Sequence, residues 1–178
     1  MLINVVQMAF QICDRTEYAV GGRCSSCGGT LSGYDRRVKR FAVLRDDKGD
    51  HLIGVLLHRA YCRDCGRIRV PEVPFYPGTR VGSPLVDLCR TLSETMPYGQ
   101  VATRLSQMGI KVDRWSVRSY CSVPFTPPPV IAAFGMHLPI SVISLSALAA
   151  AQGDTGHIHG EDVLAACNYP SRNQRRPS

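Results

Sequence analysis

The 178-residue sequence predicts an α+β chain: a small β module stapled by cysteines, a three-helix module, and a helical C-terminal extension. Three observations carry this. Two Cys-x-x-Cys pairs, Cys24-Ser25-Ser26-Cys27 and Cys62-Arg63-Asp64-Cys65, are separated by 34 residues, and each is followed at once by a glycine, Gly28 and Gly66. Between them, two strand-like runs flank the turn composition Asp46-Asp47-Lys48-Gly49-Asp50. Beyond Ser83 the apolar side chains recur at helical spacing.

The cysteine pairs set the chemistry of the first module. A Cys-x-x-Cys places two thiolates on one tight turn, and the glycine after it supplies the positive φ that lets N–H groups point at sulfur. Two such turns brought together make a four-thiolate tetrahedral site with no open position, the arrangement of structural zinc. The same residues also allow buried thiols or, in an exported chain, two disulfides. A thioredoxin-type redox pair needs only one motif in a βαβ setting. The start, Met1-Leu2-Ile3-Asn4, lacks a basic region followed by a sustained apolar stretch, so a reducing, cytoplasmic setting is expected. That favours Zn2+ on Cys24, Cys27, Cys62 and Cys65. Cys13, Cys89, Cys121 and Cys167 then read as small buried hydrophobes.

Along the chain, residues 1–79 form the zinc ribbon with an N-terminal strand. The apolar residues Leu2 to Ile12 alternate imperfectly, as a strand or short helix would on the ribbon surface. Arg36-Arg37-Val38-Lys39-Arg40-Phe41-Ala42-Val43-Leu44 reads as one strand and Leu52 to Leu57 as its return, a hairpin between two knuckles. Arg67-Ile68-Arg69-Val70 alternates basic and apolar residues as a third short strand. Pro71, Pro74 and Pro77 then predict an extended connector.

Residues 80–123 form the second module. Ser83-Pro84 is a helix start, followed by Leu85, Leu88, Cys89 and Leu92 at helical spacing. A second helix runs from Pro97 to a glycine cap at Gly109, with Val101, Leu105 and Met108 on one stripe. Asp113 is an N-cap for a third, which turns Val117, Tyr120 and Cys121 inward and Arg114, Trp115, Arg118 and Ser119 outward. A short bundle whose last helix is basic on its free face has the form of a helix-turn-helix reader. An ordinary three-helix bundle with a solvated basic face fits the same pattern. Trp115 reads first as a packing residue, and Arg114 and Arg118, one turn apart, as the better base contacts.

Residues 124–178 comprise a proline-rich linker, an apolar helical segment and a basic tail. Val130 to Ala151 has the length of a membrane span, but Gly135, His137, Pro139 and three serines interrupt it, and no Lys/Arg cluster anchors either end. Helices packed against the second module, or against a second copy in a homodimer, are expected instead. His157 and His159 read as a solvent loop rather than metal ligands with Cys167. Glu161 to Asn168 reads as a short helix, and Arg172 to Ser178 as a disordered tail.

Charge points toward a polyanion. The formal charge is +7, with twelve Lys/Arg against eight Asp/Glu in residues 1–79, six against three in 80–123, and three against three beyond. The basic excess stops where the second module stops. Counterion release drives such surfaces onto nucleic acid, although a solvated basic surface that aids solubility has the same composition.

The succession of Cys24-x-x-Cys27-Gly28, a basic strand, Tyr61-Cys62-Arg63-Asp64-Cys65-Gly66-Arg67, Pro77-Gly78 and a helical run ending Asp113-Arg114-Trp115-Ser116-Val117-Arg118 resembles the N-terminal DNA-binding region of insertion-sequence transposases. It is also similar to small transposase-derived proteins that keep only that region. The resemblance covers about residues 20–123. It implies Cys24, Cys27, Cys62 and Cys65 as zinc ligands and Asp113 to Tyr120 as the recognition helix, with Arg114, Trp115, Ser116, Arg118 and Ser119 toward DNA. The catalytic domain of such transposases is of RNase H type, and the 55 residues after 123, with only Asp154, Glu161 and Asp162 as acids, cannot build one. No phosphate-binding glycine loop or nucleophile elbow stands elsewhere.

The expectation is therefore a non-enzymatic protein of duplex DNA, with no membrane or small-molecule substrate. Arg36, Arg37, Lys39 and Arg40 would contact phosphates and the third helix would read the major groove. A zinc-stapled protein-interaction module using the apolar C-terminal segment is the alternative, as is an RNA-binding ribbon, although few aromatics interleave the basic segments to stack bases.

Overall fold

A computed structural model describes residues 1–126, 128–153 and 156–167. The elements run α1 (Leu2–Gln11), β1 (Glu17–Ala19), β2 (Leu31–Asp46), β3 (Gly49–Cys62), β4 (Ile68–Arg69), α2 (Ser83–Ser93), α3 (Tyr98–Gln107), α4 (Arg114–Cys121), β5 (Val130–Ala133), β6 (Met136–Pro139), α5 (Ile140–Gln152) and α6 (Gly160–Ala166). The class is α+β, as expected. The expected basic tail lies outside the described residues.

The N-terminal strand is a correction. Val6, Ala9, Phe10 and Cys13 are all buried, on the i, i+3, i+4, i+7 spacing of one helical face, and that period overrides the imperfect alternation. Only the three residues of β1 are extended. They follow a reversal at Arg15, whose backbone is left-handed (φ 59) and whose N–H donates to the Gly54 carbonyl at 2.7 Å. β1 then pairs in parallel with β3, Tyr18 beside Leu57.

β2 and β3 form the expected hairpin. Asp47-Lys48 closes it, with Asp46 Oδ1 accepting the Lys48 N–H at 2.7 Å. The register pairs Asp46 with Gly49 at the closed end and Leu31 with Cys62 at the open end, so both cysteine pairs are delivered to the open end. β4 pairs with β3 through Tyr61 and Ile68, where the third strand was expected.

Paired residues point to the same face of a sheet. Ile53, Val55 and Leu57 are buried on the core side, opposite Ala42, Lys39 and Arg37. Leu56 and His58 lie on the other side, opposite Val38 and Arg36. Phe41 is the extra residue of a bulge between Arg40 and Ala42, and its ring meets Phe10 at 6.0 Å and Phe75 edge-on at 5.7 Å.

The connector after β4 is a second correction. Far from running extended, it carries the buried Phe75 and Tyr76 into the core. Two backbone bonds fix it: the Gly82 N–H donates to Phe41 O and the Ser83 N–H to Pro74 O, both at 2.8 Å. A Cβ on Gly82 would run into the Phe41 ring, so glycine is required there by the close approach.

α2, α3 and α4 pack around Leu85, Leu88, Leu92, Val101, Leu105 and Val117. Gly82 rather than Ser83 caps α2, and the Ser83 side chain turns into the core. The turn between α3 and α4 passes through Gly109 (φ 75), the glycine expected there. That turn is stitched to the closed end of the hairpin. Arg45 N–H donates to Gly109 O at 2.7 Å, Lys111 N–H donates to Val43 O at 2.9 Å, and Asp50 accepts from both Arg45 Nε (2.6 Å) and Lys111 Nζ (2.7 Å).

The apolar C-terminal stretch is only partly helical. β5 and β6 form a hairpin whose turn residues Phe134 and Gly135 both have positive φ (53 and 75), and Pro139, the last residue of β6 and still extended, caps α5. α5 buries Ser141, Val142 and Leu145 and packs on α1. One hydrophobic core runs through all three expected segments, so the boundaries at 79/80 and 123/124 separate kinds of element rather than separate cores. Among the described residues no helix is long and apolar enough to cross a membrane.

A buried carboxyl ties that core together. Asp87 of α2 accepts from Tyr76 Oη at 2.5 Å and from Ser141 Oγ at 2.9 Å, joining the connector, α2 and α5. Burial pushes it up to about 6, against the opposing pull of those two hydroxyls and Arg90. A carboxyl raised in the folded state stabilises the fold most when protonated. The contribution of Asp87 is therefore fully present below about pH 4, the unfolded value, and about 2–3 kcal/mol of it is lost as the pH rises through about 6. Urea midpoints across that range check this: Asp87→Asn should remove the fall, and an unchanged slope would assign it to other groups.

Candidate metal centre and basic helix face

Cys24, Cys27, Cys62 and Cys65 converge at the open end of the hairpin, with all four Sγ atoms within 4.8 Å of one another. Cys24 lies 3.7 Å from Cys65, and Cys27 lies 3.5 Å from Cys62. A tetrahedral thiolate site with metal–sulfur bonds of about 2.3 Å has sulfur–sulfur edges of about 3.8 Å, so this donor set fits a single ion. All eight cysteines are free thiols.

The two turns are built alike. Gly28 N–H donates to Cys24 O at 2.8 Å and Gly66 N–H to Cys62 O at 2.9 Å. Cys24 N–H bonds Gly29 O and Cys62 N–H bonds Arg67 O, both at 3.0 Å. Gly28 (φ 72) and Gly66 (φ 69) occupy the left-handed region, as the spacing predicted. A side chain there is strained by about 1–2 kcal/mol even where space is open. Gly28→Ala and Gly66→Ala should each lower stability by about that amount in chemical denaturation, and a neutral result would show that the knuckle backbone relaxes.

Backbone and guanidinium donors already favour charged sulfur. The Ser26 N–H, helped by the Cys27 N–H and Arg69, pulls the Cys24 thiol down to about 6 against burial. Arg69 Nε lies 3.2 Å from Cys24 Sγ and Nη2 lies 3.9 Å from Cys65 Sγ. The Arg67 N–H leads the lowering of Cys65. Cys27 goes the other way: its Gly29 N–H contact (3.4 Å) works to lower it, but the crowded sulfurs of Cys62, Cys65 and Cys24 and burial push it up to about 12. A bound cation would displace that proton, so metal binding should weaken as the pH falls. The signal that sequence reading missed is Arg69, whose alternation with Ile68 reads only as strand.

Cys13, Cys89 and Cys167 are buried in the core, raised by burial and remote from this chemistry. His157 and His159 line a cleft beside Arg15, Arg23 and Arg69, whereas Cys167 is in the core, so the three do not assemble. The four-cysteine group is the one metal-capable cluster among the described residues.

On α4, Asp113 caps the helix by accepting the Ser116 N–H at 2.8 Å and the Ser116 hydroxyl at 2.9 Å. Val117 is buried, while Arg114, Arg118 and Ser119 are exposed. Trp115 is 69% exposed, which overturns its reading as a packing residue. The Arg114 guanidinium lies 5.7 Å from the Trp115 ring centre.

The four strand cations are divided by the pleat. Arg37 pairs with Asp35 (3.3 Å), and Lys39 Nζ lies 4.1 Å over the Phe75 ring on the core side, its burial lowering its pKa. Arg36 and Arg40 are exposed on the opposite face. Comparison with protein-family models, with curated proteins and with solved structures finds no match for this chain.

Proposed function

We propose that this chain is a zinc-stabilised, non-enzymatic duplex DNA-binding protein, of the kind formed by transposase N-terminal regions. A four-cysteine zinc ribbon staples the hairpin, and the α3–turn–α4 unit is a helix-turn-helix that lays α4 in the major groove. The observation that carries this reading is α4 itself, an eight-residue helix anchored by Val117 with Arg114, Trp115, Arg118 and Ser119 free to solvent. Arginine one turn apart on such a face reaches guanine O6 and N7 as a fork. The backbone bonds of Gly109 and Lys111 to the hairpin fix the helix relative to the strand cations.

Titration of the full chain onto random duplex at several salt concentrations tests it. Each phosphate neutralised contributes about 0.9 to the slope of log affinity against log salt. A slope near zero would remove the DNA reading.

A second reading rests on the β5–β6 hairpin. Val130 and Ile131 are exposed, and Phe134 is 48% exposed at a turn where its own backbone is left-handed. An apolar residue held so at a hairpin tip suits a protein partner, whose binding would be insensitive to salt.

A further inference from the structure

Resting on the DNA reading, we infer that the open face of the β sheet, and not the strand as a whole, is the second half of the nucleic-acid surface: the DNA backbone flanking the α4 contact crosses Arg40 and then Arg36. Arg36, Val38 and Arg40 share this face with Leu52, Leu56 and His58 by register. On this face Val38 and Leu52 are 65% and 56% exposed.

Charge decides what fits there. His58 is paired with Glu17 at 2.9 Å, whereas among the described residues Arg36 and Arg40 have no acid within ion-pair distance. On the other face Arg37 is held by Asp35, and Arg59 pairs with the same carboxylate. Of the four strand cations, the two exposed ones without an ion pair among the described residues thus share one side. Val43, three residues beyond Arg40 on β2, accepts the Lys111 N–H at 2.9 Å, two residues before the Asp113 cap of α4. The strand that carries Arg40 is thereby tied to the start of α4. Arg36 and Arg40, four residues apart on an extended strand, stand about 13 Å from each other, far enough to meet different phosphates. The aliphatic side chains of Val38 and Leu52 beside them suit the apolar faces of deoxyribose.

The test compares two adjacent arginines of equal charge on opposite faces. In the full chain with zinc bound, Arg36→Ala should weaken binding to every duplex by about fivefold and reduce the salt slope by about one. Arg37→Ala should change affinity by less than about twofold, because its guanidinium lies on the opposite side of the sheet beside Asp35. Val38→Glu, a change at an exposed position, should weaken binding at least as much as Arg36→Ala, with circular dichroism unchanged. Wild-type binding with equal losses for Arg36→Ala and Arg37→Ala would overturn the assignment of one face. Wild-type binding untouched by Arg36→Ala and Val38→Glu would place this face outside the DNA interface and leave it to a protein partner. A wild-type chain that binds no duplex would instead remove the DNA reading from which the inference starts.

Discussion

Cys62→Ser combined with Cys65→Ser is expected to reduce zinc from one equivalent per chain to nearly none, and to unfold the open end of the hairpin while leaving most of the molecule folded. The size of the effect follows from the chemistry. Structural zinc contributes roughly 10–16 kcal/mol of apparent binding free energy in small domains, and two of four thiolates cannot hold it in a closed tetrahedral site. The locality follows from packing. Cys24 and Cys62 are buried, yet neither belongs to the core cluster that joins Phe10, Phe41, Leu88 and Leu145. Around the cysteines the chain is held by turn hydrogen bonds and Arg69, which lose their purpose once the sulfurs are gone. Hydrogen exchange should therefore accelerate at the amides of Gly28, Gly29, Gly66 and Arg67 and remain slow through α2 and α5. Elemental analysis and exchange together decide it. One retained equivalent of zinc in the double variant would place the metal elsewhere, and global loss of protection would show that the core depends on the metal.

Arg118→Ala should lower affinity for the preferred duplex by about 1–3 kcal/mol and relax base choice at one position, while affinity for a scrambled duplex falls much less. Arg118 is exposed one turn beyond Arg114, and the contacts that hold α4 to the core come from Val117, Tyr120 and Cys121. Stability should accordingly change by less than about 0.5 kcal/mol. The measurement is a pair of titrations, on a selected site and a scrambled one, at two salt concentrations. Equal losses on both duplexes would show that α4 contributes only charge, and that sequence is read elsewhere or not at all.

Much of this was legible from residues alone, because it is local. A Cys-x-x-Cys-Gly turn, an Asp-Lys-Gly hairpin closure, a glycine at the end of α3 and an aspartate before α4 each specify their own backbone within four or five residues. The two knuckles also required a partner each, and only the other knuckle offered matching thiols. The α+β class, the four convergent cysteines and the outward arginines of α4 therefore followed from spacing.

What the sequence could not decide is which face of a local element meets which neighbour. Leu2 to Ile12 carries apolar residues that satisfy both strand and helix, and burial against α5, 130 residues away, selects the helix. Pro71 to Gly82 has the composition of a linker, yet the Phe41 ring and two backbone hydrogen bonds hold it in the core. Trp115 looks like a packing residue until the three-helix unit leaves no surface for it. Four cations in a run, Arg36, Arg37, Lys39 and Arg40, carry equal charge in sequence. The pleat sends two of them to the open face and two toward Asp35 and Phe75, since a period-2 backbone assigns sides only once the buried side is known. Local backbone preference determined most elements and the two cysteine turns, whereas long-range burial selected the helix at the N-terminal segment, seated the 71–82 connector in the core, and decided which faces, and so which charges, remain exposed.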